Sequence, residues 1–413
     1  MEVRMKRLKA VSFVVGVALV FAVAGQTVYA IHEGIAKPEE IAIGELCCFK
    51  YFDERDLEDL NLTIDLTKVK YLKSLDLSKL ASGGPRVDGI PSVDSPRFAK
   101  AGDISWLKDN DMIMGLKFKG EVRAYPIRIL NWHEIVNDTI GATPLIVSFC
   151  PLCGSGIVFE RPSLRGKRAE FGVSGRLFKT DLVMYDRVTG TFWNQFLGTP
   201  IVGPLVGEVG KLHRVPVDVV PWKQWKQNNP ATLVLERPKW GDRLGGKPTE
   251  PRPDLPENRQ FMRDYDVNPY EGSLAAVVSA FGANFSDARL DPFAEVIGIV
   301  IGDKAKAYAR EALLKVRLLN DTFVGHALLV VVTPAQEVKI FKRTLAQNQS
   351  LEFELRSGKL FDKQTGSEWS FEGVATDGRL KGTKLEEIVG LPSFWFAWVA
   401  FNPQSELFGG KQP

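Results

Sequence analysis

Three regimes of hydrophobic patterning follow one another along the chain. The first is continuous: residues 10–24 form an apolar run, and no charged side chain interrupts residues 10–31. The second, residues 34–80, is charged and helix-prone, with Leu57, Leu60, Leu62 and Leu66 in no clean period. It reads as a peripheral segment, and Ser82-Gly83-Gly84-Pro85 ends it. From Met112 onward short apolar runs, such as 112–118 and 145–149, alternate with turn residues, which is a strand pattern. One short helix is predicted over 127–136, with Pro126 at its first turn, where a missing N–H costs nothing. The expected fold class is therefore mainly β (α+β).

The strand-rich part repeats itself. Shifted by 183, Gly115 falls on Gly298, Ala124-Tyr125 on Ala307-Tyr308, and Leu130 on Leu313. With the same shift Asn137-Asp138-Thr139 falls on Asn320-Asp321-Thr322, Pro151 on Pro334 and Ile157 on Ile340. The shift then drops to 176, where Asp186, Thr189-Gly190 and Trp193 meet Asp362, Thr365-Gly366 and Trp369. At 173, Trp222, Trp225 and Asn229-Pro230 meet Trp395, Trp398 and Asn402-Pro403. A period this long predicts a small β-rich unit in tandem, each copy with a short helix. The expected organisation is 1–30 as signal or anchor, 31–100 peripheral, 101–235 copy one, 236–290 connection and 291–408 copy two. The connection carries six prolines between 236 and 272, so it reads as irregular. Its aromatics, Tyr265 and Tyr270, suggest that it packs back onto the body.

Charge changes the picture at the N-terminus. Arg4, Lys6, Arg7 and Lys9 precede the apolar run, and Val28-Tyr29-Ala30 offers a small-residue cleavage site. That is a secretory signal; uncleaved, the 22 uncharged residues 10–31 could just span a bilayer as an anchor. Either way the body is expected outside the cytoplasm: periplasmic, secreted or membrane-anchored. The net charge of +3 equals that of residues 1–30 alone, so the body is neutral and offers no basic field for nucleic acid. Membrane contact is expected only through the N-terminal segment, and the sequence names no protein partner. At 45% hydrophobic and 25% charged the balance is that of a globular protein with a hydrophobic core.

The four cysteines, Cys47, Cys48, Cys150 and Cys153, are too few for a disulfide scaffold. Residues that both copies keep are most simply needed by the fold: Asp186 and Asp362 at hairpin turns, Trp193 and Trp369 in the core. Subtracting them leaves Cys150-Pro151-Leu152-Cys153-Gly154, which copy two replaces with Thr333 and Gln336 at the cysteine positions. Gly154-Ser155-Gly156 disfavours a helix, so a turn between strands is expected, with Pro presetting it and Gly admitting a positive φ. Two thiolates so spaced can grip one ion. His133, aligned with Val316, is the candidate third ligand. Glu134 is a weaker acid/base candidate because its counterpart Arg317 points to solvent, and Gln195 and His213 are possible lining. Phe171-Gly172-Val173-Ser174-Gly175 could let a ligand approach the backbone. Soft thiolates favour zinc or copper. Two other readings stay open: a thiol-disulfide oxidoreductase in which Cys150 attacks and Cys153 resolves, and a non-catalytic interaction protein with a structural disulfide.

These residues resemble a family of uncharacterised bacterial and archaeal proteins, domain of unknown function 3179. The matching motifs run from Asp88-Gly89-Ile90-Pro91 through His133-Glu134-Ile135-Val136-Asn137-Asp138 and the Cys-Pro-Leu-Cys-Gly block to Trp193-Asn194-Gln195 and Gly203-Pro204-Leu205-Val206-Gly207. Asn194 stands where the family pattern has Ser. The resemblance implies no activity, substrate or cofactor, but it places the histidine and the cysteine pair in one family pattern.

Overall fold

The computed structural model describes residues 79–256, 259–345 and 349–411, together with 38–41, 69–72 and residue 76. The expectations for the N-terminal segment 1–30 and for Cys47 and Cys48 lie outside the described residues. Among the described residues no helix is long and apolar enough to cross a membrane.

The chain is mostly β, with five short α-helices among the described residues. A strand Met112–Phe118 turns back into Glu121–Pro126, and Pro126, at φ −63°, closes that strand and opens the helix Ile127–His133. The helix is shorter than its apolar pattern suggested. Glu134 takes φ +56°, its N–H donates to the Leu130 carbonyl, and the chain leaves as the strand Ile135–Ile140. That strand pairs with Thr143–Cys150, which pairs with Ser155–Glu160.

The same order of elements recurs later. Glu295–Ile301 and Lys304–Ala309 lead into the helix Arg310–Val316, followed by Leu318–Phe323, His326–Val332 and Val338–Lys342. Asp218–Pro221, the helix Trp222–Asn228 and Leu233–Leu235 complete the first sheet. Leu391–Phe394, the helix Trp395–Phe401 and Glu406–Phe408 complete its later counterpart in the same strand order. In both, the last strand joins parallel to the second.

Matching residues make matching contacts. Asp186 accepts from Trp193 Nε1 and Asp362 from Trp369 Nε1, each at 3.0 Å. These aspartates also receive the hydroxyls of Thr189 and Thr365, so they fix hairpin turns around core tryptophans. Gly115 and Gly298 lie under the buried Trp225 and Trp398 rings, where a Cβ would come within 2.3 and 2.1 Å. Neither ring can retreat, because each indole N–H is held, by Thr232 and by Ser405. Gly115→Ala is therefore expected to destabilise the protein by about 3 kcal/mol, the upper range for overpacking a core. A urea midpoint equal to that of the wild type would contradict this.

Two expectations need correction. Segment 34–80 was expected to be helix-prone and peripheral, but its described pieces are strands. Pro38–Ile41 pairs with Val69–Leu72, which joins Thr199–Val202, and Leu80–Ser82 adds to Phe171–Phe178. Edge pairing to a ready-made sheet outweighs weak helical propensity there. The connecting segment does pack back onto the body: Trp132 Nε1 donates to the Val267 carbonyl and Arg128 pairs with Asp266. It also contains an unforeseen helix, Leu274–Ala280, anchored by the buried Val278.

Candidate metal centre

The strand Thr143–Cys150 is buried almost throughout, so its last residue delivers a thiol into the core rather than to solvent. The chain then turns over Pro151, Leu152 and Cys153, with the Cys153 N–H donating to the Cys150 carbonyl at 3.2 Å. Gly154 takes φ +59°, the conformation the turn demands. A Cβ there would also meet the Phe394 ring at 2.8 Å. The turn is clamped from behind by Gln195, whose amide donates to the Ser148 hydroxyl and Ser155 carbonyl and accepts from the Ser155 hydroxyl. From the far half, the Phe394 N–H donates to the Cys153 carbonyl at 2.8 Å. Both cysteines are free thiols and fully buried.

A hairpin brings the third group. Lys179 and Thr180 form its tip at φ +52° and +71°, unusual for residues with side chains. The Thr180 carbonyl faces Cys150 Sγ at 3.8 Å, and Thr180 Oγ1 lies 3.6 Å from Cys153 Sγ. Asp181 follows, and its carboxylate joins the two sulfurs, with all three donor atoms within 4.8 Å of one another. One oxygen, Oδ2, accepts from Asn194 Nδ2 and from the Phe196 N–H, each at 2.9 Å. The other, Oδ1, is buried with no hydrogen-bond partner.

The electrostatics point the same way. Burial pushes Asp181 up to about 8, against the lowering effect of the Phe196 N–H and the Asn194 amide. Burial, then the charge of Asp181, pushes Glu134 up to about 8 as well. The Cys150 thiol is raised by burial, and further by Cys153, Asp181 and Glu134. The cation sensing Asp181 is Arg214, itself lowered to about 10 by burial, and its guanidinium donates to the Phe196 carbonyl. One Asp181 oxygen thus stays unsatisfied beside other buried acidic groups, a cost that a bound cation would remove.

The other residues singled out from the sequence fall elsewhere. His133 does not join the thiols. Its Nδ1 donates to the Pro91 carbonyl at 2.6 Å, and its Nε2 accepts from the Tyr265 hydroxyl at 2.7 Å, so both ring nitrogens are engaged. Glu134 is buried rather than solvent-facing. Gln195 supports the Cys turn from within the core, and His213 lies at the surface against Glu160. Gly172 and Gly175 do allow a close approach, but of the chain itself: Cβ atoms there would meet Tyr185 and the Pro85 carbonyl at 2.5 and 2.0 Å.

Asp181 had no part in the sequence reading, yet a signal for it existed. The stretch from Ile157 to Asp186 is seven residues longer than the matching stretch from Ile340 to Asp362, where the shift falls from 183 to 176. All but one of those residues form the extension of the hairpin Phe171–Phe178/Asp181–Asp186 beyond its shorter counterpart Phe353–Arg356/Lys359–Asp362, and Asp181 follows its tip.

Among known families, the one described as "Protein of unknown function (DUF3179)" matches residues 87–405. No curated protein and no solved structure matches significantly.

Proposed function

Because the chain belongs to the DUF3179 family, whose description carries no activity, we propose from the site alone that it binds one zinc or copper ion through Cys150, Cys153 and Asp181. The observation that carries this reading is the unpartnered, fully buried Asp181 Oδ1 beside two buried thiols. Sulfur and carboxylate oxygen are both zinc donors, at about 2.3 and about 2.1 Å from the ion. Donor atoms within 4.8 Å of one another need only a small contraction to reach the ~3.8 Å edge of a tetrahedron with bonds of that length. His133 then acts as a neutral core residue beside the ligand set. The N-terminal pattern supports an extracytoplasmic setting for the ion, and the repeated order of elements supports a duplication in which one copy kept the site.

The thiol-oxidoreductase alternative fits less well. Reactive cysteines are exposed and electropositive, with lowered pKa, whereas Cys150 is buried among acids that raise it. The expected result is about one equivalent of metal in full-length protein purified without a chelating tag, measured by elemental analysis. Cys153→Ser should lose more than about 90% of it, and His133→Ala should keep it. Stoichiometric metal in Cys153→Ser would falsify the ligand assignment.

A further inference from the structure

The first half also carries a pocket of about 490 Å³ that shares no lining residue with the thiol pair, and we propose that it binds a small dianionic oxyanion, a phosphate or a dicarboxylate, through Arg161 and Arg168. The charged groups of its wall are Asp94, Asp138, Glu170, Arg123, Arg161 and Arg168. Each acid is taken by an arginine other than the last two. Asp138 holds Arg123 at 2.5 Å, Asp94 holds Arg187 at 3.0 Å, and Glu170 holds Arg243 at 2.7 Å. Arg161 donates only to the Ala169 and Asp138 carbonyls and the Thr139 hydroxyl, and Arg168 is exposed; among the described residues neither pairs with a carboxylate. What the pocket has to spare is positive charge.

The later half shows how this arginine is used where no such pocket is built. Strand register sets Leu145 opposite Glu160 and Leu328 opposite Lys342, so Arg161 corresponds to Arg343. Both brace the same segments: Nη2 donates to the Asp138 or Asp321 carbonyl, and Nη1 to the Ala169 or Leu351 carbonyl. Arg343 also spends its Nε–H, on the Leu328 carbonyl at 3.1 Å. In Arg161 that Nε is buried without a partner, in a residue only 7% exposed. Asn137 brackets the Phe171 backbone as Asn320 brackets that of Phe353, so the two loops are of equal length and Arg168 stands where the later half has Ser350. Both departures leave guanidinium donors unused at one pocket. Burial lowers Arg161 from its ordinary value, Glu170 opposes this, and the like charge of Arg168 adds to the lowering. A bound anion relieves burial and repulsion together, and the guanidinium fork matches the paired oxygens of phosphate and carboxylate.

The test is calorimetric titration of the full chain at low salt, with inorganic phosphate and separately with succinate, on wild type, Arg168→Gln and Lys167→Gln. Lys167 is the exposed neighbour of Arg168 in the same short hairpin and does not line the pocket, so it controls for net charge. Wild type should take up one equivalent of at least one probe, and the tighter of the two names the ligand class. Arg168→Gln should weaken that binding about ten-fold or more, the worth of one charged hydrogen bond, and Lys167→Gln by less than about two-fold. Arg161→Lys, which keeps the charge and loses the fork, should weaken it as well. Wild-type affinity in Arg168→Gln, or equal losses in Arg168→Gln and Lys167→Gln, would overturn the assignment. So would a wild type saturated by neither probe.

Discussion

Asp181→Asn is expected to make the metal-free protein more stable at pH 8, by about 3 kcal/mol, while abolishing metal uptake. Removing a buried polar group usually destabilises, so the sign is diagnostic. In the folded chain Asp181 holds its proton up to about 8, whereas the unfolded chain releases it near the ordinary 3.8. Between those values the folded state binds more protons, and stability falls as pH rises. At pH 8 the loss amounts to about 5 kcal/mol. Asparagine escapes it, keeps an oxygen for the Phe196 N–H, and leaves one amide hydrogen pair unpartnered, a cost of about 2 kcal/mol. The gain over wild type should therefore shrink as pH falls from 8 to 5, where wild-type Asp181 is protonated. Urea unfolding of both proteins in chelator at the two pH values measures this. A metal-free variant less stable than wild type at pH 8 would show that the site needs no cation.

Acid should weaken the fold through His133, and with the opposite sign. Burial lowers this imidazole to about 4, with the Pro91 carbonyl opposing and Arg263 assisting. Its tautomer is fixed by its partners: a carbonyl can only accept, so Nδ1 carries the hydrogen, and the Tyr265 hydroxyl donates to Nε2. Protonating Nε2 would turn that acceptor into a donor facing a hydroxyl inside the core. As pH falls below about 6.5 the unfolded chain takes up the proton first. The stabilisation is whole above that pH and lost progressively down to about 4, by roughly 3 kcal/mol. Wild type minus His133→Gln isolates it, because the acids of the metal site titrate in both. That difference should narrow by about 3 kcal/mol between pH 7 and 4; a constant difference would mean that His133 does not titrate with folding.

Much of the architecture was legible in sequence because burial writes itself into period. The runs that became Met112–Phe118 and Thr143–Cys150 are strands buried on both faces, and Gly154 marked its own turn. The cysteine pair stood out because the later half lacks it. Glu134 was misjudged by that same comparison, which took a charged counterpart to mean solvent. Glu134 is buried, whereas Arg317 is only half-buried and donates to the carbonyls of Val332 and Thr333. Asp181 was missed because one aspartate after Lys-Thr resembles any polar hairpin tip. Its role depends on the hairpin tip of one sheet packing on the Cys turn of another, which no local pattern records. His133 illustrates the reverse: a histidine near two cysteines in sequence is committed to Pro91 and to Tyr265 of the connecting segment.

The Cys153 carbonyl is held by the N–H of Phe394, a residue of the far half. The loop that carries one sulfur is thus also a seam. On the proposed metal reading, reciprocity would tie ion capture to the docking of the two halves: whatever docking adds to ion affinity, the ion would return to docking, about 1.4 kcal/mol for each factor of ten. On that reading, a half without cysteines still bears on the site, through that one hydrogen bond.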